Sequence, residues 1–298
     1  MLKLGRGHNG RGGRRGYDPG VQVWINGALV GEDEARVSFR DHGLVVGDGV
    51  FEAVKVVDGR PFALTRHLAR MRRSAVGLGL PAPDLDAVRD GALRVVEAAG
   101  AAEAGEIGRL RITATGGPGP LGSPRDPDAV LNVLIAYGTM PAPQGTNDVV
   151  VVPWTRNEHG ALAGLKTTSY AENVRALAYA RERGAQEAIF GNTAGHLCEG
   201  TGTNVFVVKD GEVVTPPLTA GPLAGVTRAL VLEWFGAAER AVPLEALAEA
   251  DEAFLTSTTR DVRPIRAVDG RVLPTAPGPV TREAMEVFAK RSAADIDP

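Results

Sequence analysis

The stretch TMPAPQGTN, residues 139–147, constrains the fold more than any other part of the chain. Its two prolines and one glycine prevent a helix or a central strand from running through it. On either side lie runs that read as strands, AVLNVLIAYG at 129–138 and DVVVVPW at 148–154. The chain is therefore expected to divide here. A small α+β domain would occupy 21–138 and a larger domain 148–298, with 139–147 as the linker.

Within the first part, VQVWINGALV alternates as a strand does and turns at Asn26-Gly27. Residues 35–62 read as a strand broken by glycines, with a hairpin turn at Asp58-Gly59. Leu64, Leu68, Met71 and Ala75 recur at helical spacing, and a second helix is expected over 84–99 on Leu85, Val88, Leu93 and Val96. GRLRITATG and AVLNVLIAYG then read as paired central strands. Beyond the linker, helices are expected over 171–184, 226–236 and 280–291, separated by short strands and turns. No fixed-period repeat occurs. The first twenty residues contain GRGHNGRGGRRG, basic and glycine-rich with nothing to bury, and are expected to form a disordered arm over 1–20.

Charge and composition narrow the function. A net charge of −3 and a pI near 6.0 argue against nucleic acid as the main partner, although the arm resembles arginine–glycine segments that bind it. The single cysteine, Cys198, excludes an intrachain disulfide and a multi-cysteine metal site. No apolar run approaches the roughly 20 residues of a membrane helix, and no secretory signal precedes the first strand. The cytoplasm is the expected compartment, and neither a membrane nor a bound metal is expected.

One short segment points to chemistry. Only five of the 33 basic residues are lysines, and one of them, Lys166, sits in LAGLKTTSY with no second charge beside it. A lysine amine can form a Schiff base with an aldehyde, and pyridoxal phosphate is the commonest aldehyde that proteins hold this way. Such a site needs a carboxylate for the pyridine nitrogen, together with N–H groups and hydroxyls for the phosphate, preferably at a helix N-terminus. HLCEGTGTNVF offers Glu199 followed by glycines and hydroxyls. AGVTRAL places Gly225, Val226 and Thr227 at the start of a predicted helix, and TSTTRDV adds a second hydroxyl-rich turn. Each piece is common by itself; the combination is not.

In their order along the chain, VGDGVFEAVKVVDG, HLARM, LKTTSY, CEGTGTNVF, GVTR and STTRDVRPI resemble the fold-type IV pyridoxal phosphate enzymes across residues 21–290. The resemblance implies a two-domain α+β fold of the D-amino acid aminotransferase type, whose larger domain carries a barrel-like sheet, with the cofactor between the domains. It implies a homodimer acting on a small amino substrate. Carried over residue by residue, Lys166 is the Schiff-base lysine and proton shuttle, and Glu199 holds the pyridine nitrogen. Arg70 reaches the phosphate, Val226 and Thr227 give it N–H groups and a hydroxyl, and Thr258 adds to them. Asn204 matches a recurring asparagine with either a turn-stabilising or a catalytic role. Tyr170 either lines the pocket or packs in the core, while His67 packs or caps its helix and Cys198 packs.

The family's reactions differ after a common start. VFEAVKVVDG and STTRDVRPI look closest to D-amino acid aminotransferases, but those enzymes trap the substrate carboxylate with an Arg-x-His pair in the loop that here reads GGPGPLGSPRD, without histidine. Branched-chain enzymes carry an FEGIR-like segment where this chain has FEAVK. The Lys166 segment and the RLRITATGGPGPLGS loop resemble aminodeoxychorismate lyase, although Glu52-Ala53 stand where lyases often carry two hydroxyl residues. The expected activity is therefore 4-amino-4-deoxychorismate lyase, releasing pyruvate and 4-aminobenzoate for folate synthesis. The alternative is a class IV aminotransferase acting on D-amino acids, branched-chain amino acids or (R)-amines.

Overall fold

A computed structural model describes residues 22–101, 107–142 and 145–298. The expected arm over 1–20 lies outside the described residues, as do Val21 and positions 143 and 144 of the expected linker. Strands Gln22–Ile25 (β1) and Ala28–Gly31 (β2) form the first hairpin. Asn26 and Gly27 take φ of 48° and 97°, the pair of left-handed conformations that matches the twist of the flanking strands. Asp58-Gly59 repeats the device between Gly49–Val57 (β3) and Arg60–Pro61 (β4).

The strand expected from Ala35 begins only at Gly49. Before it, Asp41 accepts a hydrogen bond from the Gly43 N–H and caps a one-turn helix, His42–Val45 (α1), and Gly47 at φ 70° then reverses the chain. Helices Leu64–Gly77 (α2) and Leu85–Ala98 (α3) follow, then strands Ile107–Thr115 (β5) and Asn132–Thr139 (β6). These strands form one antiparallel sheet in the order β2-β1-β6-β5-β3-β4. Both helices pack on it, burying Leu68, Met71, Val88, Val95, Leu110, Ile112 and Ile135, each contributing about 1.5–3 kcal/mol. Leu93, expected on the buried face of α3, is 47% exposed. The inward stripe runs through Val88, Gly91, Ala92, Val95 and Val96 instead, because Gly91 lets the Trp24 ring lie against the helix backbone.

The second half comprises Asn147–Arg156 (β7), Ala171–Glu182 (α4), Glu187–Asn192 (β8), Leu197–Gly200 (β9), Asn204–Lys209 (β10) and Glu212–Thr215 (β11). After these come Val226–Trp234 (α5), Ala238–Glu239 (β12), Glu252–Ser257 (β13), Asp261–Val268 (β14), Arg271–Val272 (β15) and Pro279–Ala294 (α6). The strands form a mixed sheet in the order β12-β11-β10-β13-β14-β7-β8-β9, with β15 on β14. Helices α5 and α6 cover one part of it around the stacked Phe206 and Phe254 rings, and α4 packs on β7 and β8. No described helix is long and apolar enough to cross a membrane.

One short stretch joins the two sheets. The Phe51 N–H donates to the Lys166 carbonyl (3.0 Å) and the Thr168 N–H to that of Gly49 (2.8 Å). A segment belonging to the second half thus pairs with β3 of the first.

Candidate active site

That pairing decides where Lys166 lies. Its N–H donates to Ser74 Oγ on α2 (3.1 Å), and the hydroxyls of Thr168 and Ser169 both donate to the Gly47 carbonyl (2.8 and 3.0 Å). Gly47 and Gly49 allow this approach, since a Cβ at either would press on the 168–169 segment. The Lys166 amine lies 4.3 Å from the Phe51 ring centroid and 5.7 Å from that of Tyr170. Burial first, then the charge of Arg70, lowers its pKa to about 8, against the raising influence of Glu52 and Glu199.

The amine opens onto a cavity of about 440 Å³. Lys166, Arg70, Glu199, Val226, Thr227 and Thr258, the residues expected to form the site, all line it. Helix α5 begins at the cavity with Gly225 as N-cap, and no side chain caps it, so the N–H groups of its first turn carry no intrahelical partner. A Cβ on Gly225 would collide with Asn204 Oδ1, and Asn204 Nδ2 donates to the Leu223 carbonyl (2.9 Å). Asn204 therefore holds the approach to the helix. Thr258 Oγ1 lies 3.3 Å from His67 Nε2, whereas the buried hydroxyls of its neighbours Thr256 and Ser257, and of Thr203, have no hydrogen-bond partner among the described residues.

Arg70 is 5% exposed and donates from Nε and Nη2 to Glu52 (2.8 and 2.6 Å) and from Nη1 to the Ala224 carbonyl (3.1 Å). His67, left outside the expected site, is fully buried against Glu52. It packs, and it does not cap α2, whose N-cap is Ala63.

Also lining the cavity, Glu199 accepts the Leu223 N–H at Oε2 (2.9 Å), and its Oε1 lies 3.7 Å from Arg156 Nε. Burial raises its pKa, and Arg156 is the chief influence pulling it back. Arg156 lies over the Phe190 ring and donates to Glu172 and Asn173. The sequence reading missed Arg156; only its strand-end position on β7, just after the aromatic Trp154, hinted at it. The Tyr170 hydroxyl donates to the Thr201 carbonyl (3.1 Å), so this residue lines the cavity while fixing the 200–203 turn. Burial pushes the Cys198 thiol upward, which leaves it a packing residue.

Two further arginines lie outside the cavity lining. Arg111 on β5, which the sequence reading also missed, lies 3.4 Å from the Phe51 ring centroid, the same ring that carries the Lys166 amine. Arg125, the only arginine of the 116–131 loop, donates twice to Asp48 (2.7 Å each) and to the carbonyls of Gly79 and Leu78 (2.8 Å each).

These residues fit pyridoxal phosphate. Buried hydroxyls without acceptors are costly, and a phosphate supplies acceptors beside an uncapped helix start and an arginine. The carboxylate of Glu199 and the desolvated amine of Lys166 line the same cavity.

Comparison with known proteins points to one family. Residues 49–268 match the family described as amino-transferase class IV. A D-alanine aminotransferase of Staphylococcus haemolyticus is 32% identical over 292 residues, covering 91% of this chain and 97% of its own. The branched-chain amino acid aminotransferase of Escherichia coli has a TM-score of 0.84 at 27% identity, covering 91% and 94% of the two chains. A hypothetical aminotransferase from Mycobacterium tuberculosis in its PLP-bound form has a TM-score of 0.80 at 26% identity, covering 92% and 99%.

Proposed function

Because this chain belongs to the class IV aminotransferases, we propose that it transfers the amino group of apolar amino acids, the branched-chain ones foremost, to a keto acid. The lyase expected from the sequence gives way to its alternative, since the relatives above are named as aminotransferases and support transfer over elimination.

The observation that carries the substrate class is the pair of cations on the Phe51 ring. Arg111, which shares the Phe51 ring with the Lys166 amine, is the arginine assigned here to the carboxylate of an amino acid substrate, a group that a simple amine lacks. Ala53, Leu162, Ala163 and Leu165 supply apolar wall for a side chain. The D-alanine reading keeps the support of a relative, but Arg125 is engaged with Asp48 and two carbonyls.

When bound, pyridoxal phosphate supplies the aldehyde that takes up the amine and the ring that stores electrons. Lys166 Nζ would hold and move the proton at the reacting carbon, a role that its lowered pKa favours near neutral pH. Glu199 would hold the ring nitrogen in its protonated form. Arg70, the first turn of α5 and the hydroxyls of Thr256 and Ser257 hold the phosphate, with Thr258 contributing its turn.

Reconstituted protein should convert L-leucine or L-valine with a keto acid acceptor faster than D-alanine or an (R)-amine. Release of 4-aminobenzoate from aminodeoxychorismate without an acceptor would restore the lyase. Arg111→Ala is expected to raise KM for amino acids about tenfold or more, roughly the loss of one charge-assisted hydrogen-bonded pair, with kcat less affected. An unchanged KM would remove Arg111 from substrate recognition.

The functional unit in this reading is a homodimer. Phe39, Leu44 and Leu121 are 72%, 70% and 69% exposed. Leu44 lies on α1, and Phe39 and Leu121 lie on the loops around it, which are linked through Arg40 and Gly119. Phe39→Asp should shift the sedimenting species from dimer to monomer and lower activity; a wild-type monomer at micromolar concentration would contradict the reading.

A further inference from the structure

Glu52 takes no part in the chemistry above, yet it is a fully buried carboxylate on the strand beside Lys166. We propose that Glu52 is the positioning residue of the phosphate-binding corner, holding Arg70 and, through His67, the Thr258 turn in the arrangement that receives the anion. This rests on the assignment of Arg70 to the phosphate.

Three donors converge on Glu52. Oε1 accepts Arg70 Nε (2.8 Å), and Oε2 accepts Arg70 Nη2 (2.6 Å) and meets His67 Nδ1 (2.7 Å). With Nδ1–H donating, the neutral ring leaves Nε2 as an acceptor, and the Thr258 hydroxyl lies 3.3 Å from it. Arg70 Nη1 reaches the Ala224 carbonyl, one residue before the α5 N-cap. A single carboxylate on β3 is therefore linked through two side chains of α2 to both walls of the corner, the 224–227 helix start and the 256–259 turn. Three of the five N–H groups of Arg70 are committed in this way, and the two that remain, one on each terminal nitrogen, are fixed in direction.

Two effects oppose each other. The charge of Glu52 repels a phosphate, whereas its two-point grip on Arg70 gives the guanidinium a fixed direction that a free, four-torsion side chain lacks. Arg70 also cancels most of that charge at contact distance, so the grip outweighs the repulsion.

The test compares cofactor-free Glu52→Gln, Arg70→Ala and wild type for affinity toward pyridoxal phosphate and toward pyridoxal, which lacks the phosphate, and records melting of the cofactor-free proteins. In Glu52→Gln, pyridoxal phosphate should bind about tenfold more weakly or worse, while pyridoxal changes less than about twofold. Equal weakening toward both ligands would reveal a merely structural role and overturn the proposal. Unchanged or tighter pyridoxal phosphate binding in Glu52→Gln, with weakened binding in Arg70→Ala, would overturn it too. Intact phosphate-dependent affinity in Arg70→Ala would instead remove the assignment on which it rests. Glu52→Asp, which keeps the charge and shortens its reach, gives the same comparison if the glutamine variant does not fold.

Discussion

Lys166→Ala is expected to lower amino transfer by more than about a thousandfold and to abolish the visible absorption of the bound cofactor, because no other lysine among the described residues lines the cavity. Turnover near the wild-type rate would end the whole assignment. The same residue predicts a pH effect on the cofactor-free protein. Its pKa is about 8 in the folded chain against an ordinary 10.5. Below pH 8 it is protonated in both states, and the folded chain carries the full cost of a buried charge, about 3 kcal/mol at most. Between pH 8 and 10.5 the unfolded chain binds more protons here, so this cost declines as pH rises. Lys166→Met should therefore melt higher than wild type at pH 7, and the difference should vanish above about pH 10. A constant difference across that range would refute the depressed pKa.

Glu199→Gln is expected to lower kcat on the order of a hundredfold, equivalent to about 2.7 kcal/mol of transition-state stabilisation, with cofactor content nearly unchanged. An amide cannot hold a proton on the ring nitrogen as a carboxylate does, so charge released at the substrate carbon would be stored poorly. The environment makes the test sharp: burial raises the Glu199 pKa, and Arg156, 3.7 Å away, opposes that. Rates within twofold of wild type would leave Glu199 as a loop anchor through its bond to Leu223.

Much of the candidate site was legible in the sequence, since the residues expected there line one cavity. Lys166, Glu199, Val226 and Thr227 stand out because each is a rare residue, or a common one in a restrictive context: a scarce lysine, a carboxylate before glycines, a helix start rich in small residues. Arg156, Arg111 and Glu52 were not legible. An arginine or glutamate on a strand reads as ordinary surface charge, and only packing shows that Glu52 is buried beneath Arg70, or that Arg111 shares a ring with Lys166. The 116–131 loop shows the same limit. Its sequence told of a missing histidine, but not that Arg125 is spent on Asp48.

Local chemistry in the sequence determined the hairpins at Asn26-Gly27 and Asp58-Gly59, the helices and the candidate pyridoxal residues, since turn geometry, periodicity and nucleophile identity are properties of neighbouring residues. The tertiary structure alone decided which strands adjoin, that the Lys166 segment pairs with β3, and which charges meet in the cavity. Those contacts join positions far apart in the chain, 154 residues for Arg70 and Ala224 and 191 for His67 and Thr258, and only burial in a shared low-dielectric site gives such pairings their energy.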